Sequence, residues 1–294
     1  MTLWTGERWR YDWFDDATPE QIGCGELLAC IDPERVLREH RELLAAGADA
    51  ISTITFGAVA AVMEEYGLAA RAAEANYENA RLARMACDEF STPARPRKVL
   101  GGMGPTLHLL SLQGGGAERA AQMEAEYRVQ AEALVRGGVD VLHIDCCMDR
   151  ENMRAAMRAI ASLGVAVPVC ITGEFEEMGS MLDGATPVDF FDCARELGAR
   201  WVGVTGRMWP TLWAWRTLEE AGRMPDAVLP AVFWPGSEIG WMETAETLLA
   251  GLAPVIAGGR VPIVGVGRVP RVDFVAALAA ELVPGGGEGQ VGAL

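Results

Sequence analysis

The chain has 294 residues, half of them hydrophobic and 22% charged, with a formal net charge of −16 and an isoelectric point near 4.7. That length and composition can bury a large core in one α/β domain, while the negative field opposes nucleic-acid phosphates and anionic membrane surfaces and leaves a small molecule as the expected ligand. No apolar run reaches the roughly 20 residues that span a bilayer, and Met1 to Phe14 mix charges with aromatics, so a cytoplasmic protein is expected; seven cysteines without framework spacing read as reduced thiols.

In chain order, residues 1–21, with Trp4, Trp9 and Trp13 set among charges, read as an N-terminal extension, and a weak first strand is expected at 21–25. Asp32 caps a helix over 33–46, Pro33 suits its first position and Gly47 its exit. Seven further β-rich runs follow at 48–56, 98–105, 139–147, 168–175, 200–207, 228–234 and 262–268. They alternate with helical stretches at 58–90 (broken at Gly67), 117–136, 149–162, 187–197, 211–221, 244–257 and 271–281. Eight strands with intervening helices predict a (β/α)8 TIM barrel over 22–284, followed by a flexible tail at 285–294. No phosphate-binding loop, dinucleotide fingerprint or H-E-x-x-H helix interrupts this rhythm.

Several segments carry a resemblance. The run Ala46-Gly47-Ala48-Asp49-Ala50-Ile51-Ser52-Thr53-Ile54-Thr55-Phe56-Gly57 is similar to a G-A-D-x-x-x-T-x-T-F-G strand. Glu65-Tyr66-Gly67-Leu68, Asn79-Ala80-Arg81-Leu82-Ala83-Arg84, Gly104-Pro105-Thr106 and Asp183-Gly184-Ala185-Thr186-Pro187 continue it. Together they resemble the homocysteine S-methyltransferase family. The resemblance implies a barrel in which one cysteine after the sixth strand and two adjacent cysteines after the eighth bind zinc as thiolates. The matching stretches here are Gly203-Val204-Thr205-Gly206-Arg207 and Val264-Gly265-Val266-Gly267-Arg268, which contain none of the three. By the same resemblance the first-strand acid falls near Gly23, the second-strand glutamate is Ser52 and the fourth-strand glutamate is Asp145.

A closed barrel gathers functional groups at the C-terminal strand ends, which makes Cys24, Thr53, Thr55, Met103, Asp145, Cys147, Thr172, Glu174, Arg207, Trp234 and Arg268 the candidates. Strand alternation puts His143, Asp145 and Cys147 on one face. A carboxylate there is costly to bury without a cation, ligand or water, so Asp145 and Cys147 are read as catalytic. Arg207 and Arg268 stand at or beside the zinc-cysteine positions and are read as an anion site, or as partners of Asp145, Glu174 or Glu238. Trp209, Trp213, Trp215, Trp234 and Trp241 follow the sixth and seventh strands and suit either a methylated cation or the packing of a helix or oligomer interface.

The expectation is a transferase moving a methyl group between small molecules without the family's three-cysteine zinc site, with Arg207, Arg268, Trp234, Thr53, Thr55 and Glu174 binding substrate. No cofactor is expected, zinc is disfavoured, and a corrinoid carried by a partner protein or a homo-oligomer stays open. The alternatives are a lyase, hydrolase or isomerase acting on a small anion, and a non-catalytic binding subunit.

Overall fold

The computed structural model describes residues 1–6, 24–113, 116–231, 244–267 and 270–282. Eight parallel strands close into a barrel in sequence order, β1 pairing with both β2 and β8. They are β1 (Thr2–Thr5), β2 (Ala50–Ser52), β3 (Lys98–Met103), β4 (Val141–Cys147), β5 (Val169–Glu174), β6 (Trp201–Arg207), β7 (Ala227–Ala231) and β8 (Ile263–Val266). A main helix follows each: α1 (Pro33–Ala45), α2 (Ala72–Phe90), α3 (Gly116–Gly137), α4 (Arg150–Ser162), α5 (Pro187–Glu196), α6 (Met208–Glu220), α7 (Ala245–Gly258) and α8 (Val272–Leu282).

Helix starts follow local chemistry. Asp32 accepts the Arg35 N–H at 3.1 Å with Pro33 in the first position of α1, and Thr186 and Asp189 form a reciprocal capping box before Pro187 of α5. The stretch at 58–90 is not one helix. Gly67 adopts φ +68° after a 3-10 turn at Glu64–Tyr66, and only α2 continues as a long helix. Helix α6 begins at Met208, three residues before the expected start at 211.

The first strand is the main correction. Gly25–Leu27 form a 3-10 turn leading into a short helix at Leu28–Ile31, and β1 lies at Thr2–Thr5, inside the stretch read as an extension. Tertiary burial decides this, because Leu3 faces the helical layer and Trp4 fills the barrel interior with no exposed surface. Trp4 stacks edge-on against His143 and Trp201, with centroids 6.4 and 6.0 Å away. Gly265 of β8 gives this strand its room, since a Cβ there would collide with the Trp4 carbonyl. The C-terminal end of the first strand is therefore Thr5, not the neighbourhood of Gly23, a residue outside those described.

Three aspartates clasp the N-terminal rim by one repeated device. Asp49, Asp140 and Asp226 each precede a strand and donate their backbone N–H to Leu3, Val99 and Val202 respectively, at 2.8, 2.9 and 2.7 Å. Each side chain then accepts the N–H of that same residue, at 3.0, 2.8 and 2.8 Å. Arginines close each clasp: Arg95 and Arg97 on Asp49, Arg84 on Asp140 and Arg195 on Asp226.

Candidate functional site

At the opposite rim the geometry of β4 decides which groups face the barrel. Its pairing with β5 runs in register to Ile144 and Ile171, then resumes at Cys147 and Gly173. The extra residue is Cys146, with φ +55°, the sole non-glycine residue in that region of backbone space among those described. The bulge separates the three residues that alternation placed on one face. His143 and Asp145 point inward, while Cys147 pairs with Gly173, whose missing Cβ would meet the Phe190 ring in the helical layer. Cys147 Sγ lies 3.5 Å from the Asp149 carbonyl, and burial pushes its thiol up to about 12, so it is not a ready nucleophile. Its wall still borders a cleft shared with Asp145, Gly104, Pro105, Tyr127 and Met148.

Asp145 is 6% exposed at the end of β4. Its Oδ1 accepts the Cys146 N–H at 2.9 Å and the Thr172 hydroxyl at 2.7 Å. Thr172 Oγ1 lies 3.0 Å from His143 Nε2, and the His143 ring nitrogen is 3.7 Å from the carboxylate. Burial pushes the His143 imidazole below its ordinary value, against the opposing pull of the Asp145 charge, which favours the neutral ring.

The remaining candidates scatter. Thr53 and Thr55 have no exposed surface and bond each other at 2.5 Å. Thr53 Oγ1 accepts the Gly102 N–H at 3.0 Å and the Thr55 hydroxyl donates to the Gly102 carbonyl at 2.7 Å, which makes the pair a clasp between β2 and β3. Glu174 lies against Gly206, which uses φ +107° to pass it. Arg207 is exposed and pairs with Glu177 at 2.9 Å, an acid other than the expected Asp145, Glu174 or Glu238. Arg268, Trp234, Trp241 and Glu238 lie outside the described residues. Trp215 is buried, whereas Trp209 is 78% exposed and Trp213 packs over Gly179.

Two groups at this rim escaped sequence reasoning. Asp149 caps α4 through the N–H groups of Glu151 and Asn152 and also accepts the Ser111 N–H and hydroxyl, while Asn152 accepts the Leu110 N–H and donates to the His108 carbonyl. They fix the loop after β3 over the cleft. The Asp149-Arg150-Glu151-Asn152 cap was the signal available. Glu26 is the second: its Oε1 accepts the Gly57 N–H at 2.9 Å, Cys24 Sγ reaches Oε2 at 3.6 Å, and burial raises its carboxyl.

The zinc implied by the resemblance can be tested against the positions themselves. A Cβ at Gly267 would sit 2.6 Å from the Leu229 carbonyl, and one at Gly206 would sit 2.9 Å from Glu174 Cγ on left-handed backbone. Val266 is fully buried, and no cluster of three potential metal ligands occurs among the described residues. These residues do not fit a three-thiolate zinc site.

Fold and site thus define a (β/α)8 barrel with a buried acid at its C-terminal mouth, the face on which barrel enzymes carry their chemistry. A profile of the homocysteine S-methyltransferase family matches residues 5–266. The methionine synthases of Mycobacterium tuberculosis (strain ATCC 25618 / H37Rv) and Mycobacterium leprae (strain TN) are 31% and 30% identical over 214 residues, or 71% of this chain. The chain spans 18% of the length of those relatives. In fold it is similar to the homocysteine methyltransferase MmuM from Escherichia coli. The oxidized form has a TM-score of 0.76 at 18% identity, covering 95% of this chain and 96% of that one. The metallated form has a TM-score of 0.74 at 16% identity with the same coverage. This chain belongs to the homocysteine S-methyltransferase family.

Proposed function

We propose that this protein transfers a methyl group to a small thiol acceptor of the homocysteine type, without a three-thiolate zinc site, and that Asp145 is its central catalytic group. The observation that carries the reading is the geometry of Asp145. One carboxylate oxygen is held by Cys146 and Thr172, while Oδ2 meets no partner among the described residues. A desolvated, oriented carboxylate at the mouth of a barrel suits an acceptor that sheds a proton or carries an ammonium group. In the reaction the acceptor S–CH3 bond forms as the donor's bond to the methyl carbon breaks, and the thiol proton passes to Asp145. The family profile and the names of the relatives support the thiol acceptor.

The methyl donor is a methylated onium compound or a corrinoid carried by a partner protein. Exposed Met178, Trp209 and Trp213 beside the mouth suit either. Holding donor and acceptor in line can remove several kcal/mol of the barrier, which is why the fixed loop after β3 matters.

The test is methionine formation from homocysteine with a betaine, a sulfonium or a methyl-corrinoid protein as donor, alongside metal analysis. Turnover that survives a chelator and falls by about 100-fold or more in Asp145→Asn is expected. Zinc at one equivalent per chain with chelator-sensitive turnover would overturn the zinc-free reading.

A further inference from the structure

We infer that Thr172 and His143 are positioning residues for Asp145. A hydrogen-bond chain of fixed direction, from His143 Nε2–H to Thr172 Oγ1 and from the Thr172 hydroxyl to Asp145 Oδ1, holds His143 in one neutral tautomer and directs the other carboxylate oxygen to the ligand. The inference rests on the proposed role of Asp145.

The direction follows from the donor inventory. An ionised carboxylate only accepts, so at 2.7 Å the Thr172 hydroxyl must give its one proton to Asp145. The Thr172 oxygen is then left as an acceptor, and the His143 nitrogen 3.0 Å away must be the donor. Protonation at Nε2 leaves Nδ1 bare in a neutral ring. Nδ1 is indeed a buried atom with no hydrogen-bond partner among the described residues. The doubly protonated ring would enclose an N–H there without an acceptor, and burial already disfavours that charged form.

The strands build the chain. The parallel register sets His143 beside Cys170 and Ile144 beside Ile171, so Thr172 is the next inward residue on β5, level with Asp145. The bulge at Cys146 then turns a backbone N–H onto the same Oδ1, adding a second donor to that oxygen. Trp4 braces the imidazole edge-on from β1 at 6.4 Å between centroids. Two donors on one oxygen and none among the described residues on the other make the carboxylate asymmetric, which is the condition for a defined ligand geometry.

Three histidines in the chain make this accessible to long-range ¹H–¹⁵N correlation on histidine-labelled full-length protein. The wild type is expected to show one imidazole, assigned through His143→Leu, with Nε2 protonated and Nδ1 bare throughout the range in which exposed imidazoles titrate. Thr172→Val should abolish that single-tautomer signature, and Thr172→Ser should restore it. In the methionine-forming assay Thr172→Val should lower kcat more than it raises KM, with rescue by serine. An Nδ1-protonated or doubly protonated His143 in the wild type overturns the chain whether or not any variant folds. A His143 spectrum unchanged in a Thr172→Val protein of wild-type urea midpoint does so too. The two readings fail separately: an inert Asp145→Asn substitution removes the proposed function while the tautomer stands, and the wrong tautomer removes the chain while methyl transfer stands.

Discussion

Asp145 at the C-terminal rim and three aspartates at the N-terminal rim are held in opposite ways. At the N-terminal rim Asp49, Asp140 and Asp226 each pair with arginine and with a neighbouring strand's backbone. At the C-terminal rim Asp145 has no arginine among its described partners and is held through a single oxygen by a hydroxyl and its neighbour's N–H. Paired carboxylates on one side close the sheet, whereas at the other rim Oδ2 of Asp145 meets no partner among the described residues. On the proposed function, the barrel would place its clasps at one rim and its catalytic carboxylate at the other.

The strongest test of that division lies between the rims. Trp4 fills the interior with no exposed surface, so Trp4→Ala should cost about 4 kcal/mol in urea-melting experiments. A cost below about 1 kcal/mol would show that β1 is not part of the closed barrel. Acid gives a second and smaller test. His40 of α1 is buried and pushed from 6.5 down to about 4. The unfolded chain takes up this proton below pH 6.5 and the folded chain does so near pH 4. About 3 kcal/mol of stability present above pH 6.5 is therefore lost as the pH falls to 4. His40→Leu should flatten that slope between pH 6.5 and 4. If the slope is unchanged, acid sensitivity comes from elsewhere, with buried His143 the next candidate.

The sequence showed the barrel because its cues are local and repeated: caps such as Asp32-Pro33 and β-rich runs before helices. It misplaced the first strand because Thr2–Thr5 is only four residues long and gains its stability from pairing with β2 and β8. At the site, Asp145 and His143 were legible from alternation along β4. Cys147 was not, because a bulge at Cys146 leaves no signature in side-chain type while turning everything after it to the other face. Arg207 followed the same limit: its position at the strand end was readable, but its partner Glu177 comes from the next loop over.

The smallest expected stability effect gives the sharpest comparison of the rims. Asp140→Ala removes the acceptor of the Val99 N–H and one partner of Arg84, and should cost about 2 kcal/mol, moderated by its partial exposure. Asp145→Asn keeps an acceptor oxygen for Thr172 and Cys146 while replacing the other oxygen with an uncharged NH2 group, so its unfolding free energy in urea should change by less than about 0.5 kcal/mol in either direction. A gain would be the more telling sign, since it would mean that the folded protein carries an uncompensated charge in the absence of ligand. A loss as large as that of Asp140→Ala would instead make Asp145 a structural clasp like the other three. The two rims would then differ in geometry but not in purpose.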